Sequence, residues 1–186
     1  TAIPNCFTTM ADVDTWLRTV RLAGPNKPTV VNIGPGTFLG WDCDSSNVTL
    51  RGSGRDRTVF SGAGGRVGAM TISAGCTNLN VQDMTLDGKT ARWGVFVQNV
   101  SAITSWTNVE IISEAYGWDE RLTSADGSGT CTNHDGKHMW FSSRIRTTGS
   151  ATARAYTARC AQSWFWGSEI AADVTDPNLS ILFALK

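Results

Sequence analysis

Short blocks of similar pattern recur at one distance along this chain, and that distance constrains the fold more than any other feature. Residues 81–86 (VQDMTL) and 106–111 (WTNVEI) share an apolar–polar–polar–apolar–polar–apolar pattern and stand 25 positions apart. Residues 141–145 (FSSRI) and 166–170 (WGSEI) are again 25 apart, while 47–50 (NVTL) and 78–81 (NLNV) are 31 apart. The larger gap between the blocks at 106 and 141 holds a polar, glycine-rich stretch from Gly117 to Gly136. A period near 25 with one insertion is the pattern of a solenoid. Each repeat buries its apolar face only against its neighbours, and insertions become loops on one side.

The local patterning agrees. From Pro28 onward, short runs with alternating apolar residues are bounded by Gly, Asn, Asp and Ser, as half-buried strands are. Strands are expected at 29–33, 48–51, 58–60, 70–72, 79–81, 84–86, 95–97, 109–112, 138–141, 153–157, 163–166 and 179–183. Ahead of them one helix is expected over Thr9–Ala23. Thr9 is its N-cap with Asp12 three residues on, Met10, Val13, Leu17 and Val20 follow at helical spacing, and Gly24-Pro25 ends it. A single amphipathic helix before a run of strands suits an end cap. The domain reading is therefore a cap at 1–27 followed by a parallel β-helix at 28–186, with an inserted loop at about 115–138. A sandwich or jelly roll would favour two-residue hairpins such as Asn-Gly, and the sequence has none.

Composition narrows the partners. Sixteen basic and sixteen acidic residues balance, and no basic stripe points to nucleic acid. The longest apolar runs, such as 181–185, are too short to span a bilayer, so no membrane insertion is expected. Five cysteines without a CxxC pair, and only two histidines, argue against a zinc site. Two readings of the cysteines stay open. In one, Cys131 pairs with Cys160 across neighbouring coils and Cys6 pairs with Cys43 or Cys76; in the other, the thiols are small buried core residues.

Three segments resemble the first coils of pectin-lyase-like right-handed parallel β-helix proteins, pectinesterases in particular: 30–38 (VVNIGPGTF), 48–60 (VTLRGSGRDRTVF) and 78–88 (NLNVQDMTLDG). The resemblance covers residues 28–88 and implies an all-β, right-handed parallel β-helix with an N-terminal capping helix. It also implies work outside the cell or on a cell or particle surface. The superfamily includes lyases, hydrolases, esterases, tailspikes, adhesins and non-catalytic binding modules, so fold alone selects no activity. None of the family's catalytic motifs is matched residue by residue. Asp83, Asp87 and Arg92 lie near one corner, where carboxylates commonly cap turns. Calcium is the one cofactor the resemblance leaves open.

The candidate carbohydrate-binding residues are Trp93, Tyr116, Trp118, Asp119, His134 and His138, since aromatic rings beside carboxylates and imidazoles suit sugars. A second aromatic group comes from alternation: Phe141 and Trp166 fall on one strand face and Trp140 and Phe165 on the other, so one pair is core. The final run holds Leu179, Ile181 and Phe183 with no helix after it, and it is the expected assembly surface toward copies of the chain or other subunits. The leading expectation is a non-catalytic surface module that self-associates and binds polysaccharide. The alternatives are a polysaccharide-active enzyme and a phage or virion spike or decoration protein.

Overall fold

The computed structural model describes residues 7–19, 27–120, 135–149, 153–158 and 160–172, and the backbone of 181–185. Helix α1 (Met10–Thr19) begins where the cap predicts. Thr9 Oγ1 accepts the Asp12 N–H at 3.2 Å and donates to Asp12 Oδ2 at 2.7 Å, a reciprocal cap that satisfies an otherwise orphaned donor. Met10, Val13 and Leu17 are buried; Val20 and the rest of the expected helix lie outside the described residues.

Everything else regular among the described residues is β. In chain order the strands are β1 (Thr29–Asn32), β2 (Gly36–Leu39), β3 (Trp41–Cys43), β4 (Val48–Arg51), β5 (Thr58–Ser61), β6 (Gly68–Ile72), β7 (Asn78–Gly88) and β8 (Trp93–Val97). They continue as β9 (Ile103–Ser113), β10 (Tyr116–Glu120), β11 (Lys137–Phe141), β12 (Arg144–Thr147), β13 (Arg154–Ala158), β14 (Gln162–Trp166), β15 (Glu169–Ala172) and β16 (Ile181–Leu185). Every pairing is parallel. One row runs β1-β4-β7-β9-β11-β14, and a separate six-stranded sheet runs β3-β6-β8-β10-β13-β16. A further row follows the second halves of the long strands: β2 pairs β5, β5 pairs β7, and β9 pairs β12, which pairs β15.

The repeat read from sequence is the strand register itself. Val81 pairs with Trp106, and Phe141 with Trp166. Parallel strands in register place equivalent side chains in columns, so the core is columnar. Leu50, Val81, Trp106, Trp140 and Phe165 form one inward column. Met70, Val95, Trp118 and Tyr156 form the opposing one.

Left-handed residues turn the chain. The expected strands 79–81 and 84–86 are one strand, β7, and its bend is the single left-handed residue Asp83 (φ 55°). Asn108 (φ 53°), Ser142 (φ 49°) and Gly167 (φ 57°) bend the next three levels at the same place, and Asn108 Nδ2 donates to Asp83 Oδ1 at 2.7 Å. Asp, Asn and Gly tolerate this conformation best. In the six-stranded sheet, Gly94 and Gly117 sit inside β8 and β10 at positions with no room for a side chain. A Cβ on Gly94 would lie 2.4 Å from Ile111 Cγ2, and one on Gly117 2.4 Å from the Ala155 carbonyl.

Three expectations need correction. The insertion does not begin at 115, because Tyr116–Glu120 form β10; residues 121–134 lie outside the described ones. Five strands, β2, β3, β10, β12 and β15, were not foreseen. Cys43 is bonded to Cys76 (Cα–Cα 5.5 Å), so Cys6 pairs with neither. Cys160 is disulfide-bonded as well, and its expected partner Cys131 lies outside the described residues.

Candidate functional site

Two places gather chemistry-bearing side chains. The first is sealed. His138, the second residue of β11, faces inward level with Thr104 of β9, and Glu120 ends β10 across the core. Trp106 Nε1–H donates to Thr104 Oγ1 at 2.7 Å, and Thr104 Oγ1 lies 2.8 Å from His138 Nδ1. His138 Nε2 lies 3.0 Å from Glu120 Oε1. Glu120 Oε2 accepts the backbone N–H of Cys160 at 2.9 Å and of Ala161 at 3.3 Å. The arrangement that gives each hydrogen an acceptor has the Thr104 hydroxyl donating to Nδ1 and Nε2–H donating to the carboxylate. Hydroxyl, imidazole and carboxylate in this order resemble a nucleophilic triad, but all three residues are 0% exposed. No substrate reaches Thr104. The network instead ties the end of β10 to the start of β11 and to the 160–161 backbone.

Aromatic rings close around it. Trp118 meets Trp106, Trp140 and Tyr156 with ring centres 5.3, 5.0 and 5.9 Å away, and His138 at 4.7 Å. Burial pushes the Tyr156 hydroxyl pKa above its ordinary 10.0, and the nearby Glu120 carboxylate pushes the same way against the Ser163 hydrogen bond. A proton that the unfolded chain releases near pH 10.0 is thus held by the folded one, so this group's contribution to stability is full below that pH and falls as pH rises beyond it. In an alkaline titration, tyrosinate absorbance from Tyr156 should appear only together with loss of native near-UV circular dichroism. Ionisation ahead of unfolding would contradict its burial.

The second place is open. The outward residues of β9, β11 and β14 form columns, Ser105–Met139–Trp164 and Thr107–Phe141–Trp166. Trp166 stacks on Phe141 at 4.7 Å with ring planes 5° apart. Trp164 and Trp166 are 38% and 48% exposed, while Trp140 is core and Phe165 packs against it. Alternation had separated these two pairs, and the structure says which is outside. Below the rings the same columns continue as Asn80 and Thr49, and as Gln82 and Arg51, with Arg51 Nε–H donating to Gln82 Oε1 at 3.1 Å.

The residues nominated from sequence divide between these environments. Trp93, Tyr116 and Asp119 gather on the outer face of β8 and β10. Trp93 Nε1–H donates to Asp119 Oδ2 at 2.8 Å, its ring stacks on Tyr116 at 6.0 Å, and the Arg92 guanidinium covers it at 4.7 Å. The rings are therefore already occupied by one another. Trp118 and His138 are buried, so neither touches a ligand at the surface; His134 lies outside the described residues. Leu179 also lies outside them, while Ile181 and Phe183 belong to β16, which pairs with β13. Asp83 holds its corner, and Asp87 caps the following turn by accepting the Lys89 N–H at 3.0 Å. Among the described residues no group of three or more His, Cys, Asp or Glu is placed to hold a metal ion, and no helix is long and apolar enough to cross a membrane. The chain matches no protein-family model and no curated protein.

Proposed function

We propose that the stacked parallel strands form one right-handed β-helix of the pectin-lyase-like type. In this reading the protein is a non-catalytic module at a cell or particle surface that binds polysaccharide across the outer face of β9, β11 and β14. The observation that carries the reading is the pair of exposed indoles on β14, one already stacked on Phe141. Indole faces left open to water are costly unless a ligand or partner covers them, and they match the C–H face of a sugar ring. The amides and hydroxyls in the adjoining columns repeat at the strand spacing of about 4.8 Å and supply hydrogen bonds along a chain laid across the strands. The acidic groups argue for binding over catalysis. Asp42, Asp83, Asp87, Glu110 and Glu169 are each engaged by Arg66, Asn108, Lys89, Arg146 and Arg144 respectively.

The test is titration calorimetry with a glycan found on an array, comparing the native protein with Trp164→Ala and Trp166→Ala. Each substitution should weaken binding by about 2 kcal/mol or more, as removal of a Trp anchor does, with little change in melting temperature. Unchanged affinity in the double variant would sink the sugar platform. Release of unsaturated or reducing sugar would overturn the non-catalytic part.

Self-association is the second reading. Among the described residues β14, β15 and β16 each pair on one side only, with β11, β12 and β13. An edge strand offers unpaired backbone groups to another chain. On this reading the copies meet through this end, with Ile181 and Phe183 in the contact. A monomer in sedimentation at high concentration would exclude it.

A further inference from the structure

The two ends of the strand stack differ. At the first level, β1, β2 and β3 lie under α1, which buries Met10, Val13 and Leu17 in one cluster with Ile33 and Trp41 and reaches Asp44 through Arg18 at 3.0 Å. At the last level, among the described residues, β14, β15 and β16 each pair on one side only. The Gln162 N–H donates to the Gly136 carbonyl and the Trp166 carbonyl accepts from Ser142, both toward β11. Backbone groups alternate sides along a strand, so those of Ser163 aim out of the stack. The Glu169 N–H donates to Ser143 toward β12, so those of Ile170 aim out as well. Natural edges of this kind are guarded by lysine, proline or a bulge. β14 (QSWFW), β15 (EIAA) and β16 (ILFAL) contain neither lysine nor proline. Their one charged residue, Glu169, is held by Arg144 at 2.8 Å.

A second copy fits this end, and the covered end limits how it can sit. A head-to-tail stack would set one copy's last level on the next copy's first, where α1 already lies, so it does not propagate. A two-fold contact joins last level to last level and closes at two. It sets a surface against itself, which is favourable only where no unpaired charge meets its own copy, and this edge meets that condition. It also reverses the partner's strands, so the edges pair antiparallel. Strands of five, four and five residues then give on the order of ten backbone hydrogen bonds, about the number a stable interface carries. Resting on the self-association reading above, we propose that the chain forms a closed two-fold pair, β14 against β14 and β15 against β16, and that this pair completes the aromatic face. Trp164 and Trp166 stand on the terminal strand, so a glycan laid across β9, β11 and β14 runs off the edge at its best rings. With the two β14 strands paired, alternation keeps the indoles of both copies on one side. The two faces become continuous, with the exposed indoles at the centre.

The test is sedimentation velocity and amide hydrogen exchange on the whole chain, without glycan, over rising concentration. The expected result is a species of twice the chain mass and nothing larger, with the Ser163 and Ile170 amides gaining protection as it forms while those of β1 and β2 do not change. Gln162→Lys with Ala171→Lys places guards on two terminal strands and should weaken pairing about tenfold or more, with thermal unfolding showing the variant folded. A monomer at every concentration, growth beyond two copies, or protection gained at the α1 end would each overturn the proposal, as would native pairing by the folded lysine variant. For a glycan that binds the native protein, affinity should keep rising for chains longer than the three strands of one copy, roughly 14 Å, and should stop rising there in the lysine variant. Equal length dependence in the two proteins would overturn the joined face. A pair that forms but binds no glycan would sink the polysaccharide reading and leave the pair standing, so the two failures are distinguishable.

Discussion

Glu120→Ala is expected to destabilise the fold by about 3 kcal/mol or more, because it leaves three buried N–H donors without their acceptor, each at a cost of about 1–3 kcal/mol. The substitution leaves His138 Nε2–H and the N–H groups of Cys160 and Ala161 facing a void where Oε1 and Oε2 had been. At roughly 2–4 °C per kcal/mol for a chain of this size, the melting temperature should fall by about 6 °C or more. Glu120→Gln should cost less. Its amide oxygen can still accept the two backbone N–H groups, and its NH₂ can donate to Nε2 if His138 moves its proton to Nδ1. Thr104 Oγ1 would then accept from both His138 and Trp106, and its own hydrogen would lose its acceptor. Urea unfolding of the two variants measures the difference. A loss below about 1 kcal/mol for Glu120→Ala would mean the network carries little of the fold's stability.

That network also marks where sequence reasoning stops. The repeat was legible because parallel register and inside–outside alternation are both periodic: Val81 above Trp106, Phe141 above Trp166. β10 was not legible. Its residues YGWDE read as a polar loop, because Gly117 suits a strand only where the Ala155 carbonyl and Ile145 leave no room for a side chain. Glu120 suits one only because His138 and the 160–161 backbone meet it there. Those partners are far off in sequence, and no local window contains them. β12 was hidden for a related reason. Arg144 and Arg146 look like a solvated turn until Glu110 and Glu169 on the neighbouring strands pair with them. Conversely, β7 was split in two because a polar pair, Gln82-Asp83, reads as a loop, whereas one left-handed residue turns the strand without breaking its ladder. The site shows the same division. Alternation alone separated Trp166 from Phe165. The nomination of Trp118 rested on composition, which does not say which way a ring points.

Trp118→Ala should cost about 3–5 kcal/mol, as large-to-small changes of a buried aromatic do. Trp118 fills the space among Trp106, Trp140, Tyr156 and His138. Each such ring contact adds about 0.5–1.5 kcal/mol beyond the area it buries. Trp118→Phe separates packing from chemistry. It keeps a ring in the cluster and removes an indole Nε1 that is buried without a partner, so part of the lost packing is offset and the cost should drop to about 1–2 kcal/mol. The pair also distinguishes core from ligand contact. A residue that is 0% exposed can influence glycan binding only through the fraction of molecules folded. Trp118→Phe should therefore bind with native affinity below its melting transition, and Trp118→Ala should lose binding only in proportion to its loss of native circular dichroism. Weakened binding by a fully folded Trp118→Phe would place that ring at a surface and contradict the columnar core from which the open aromatic face was deduced.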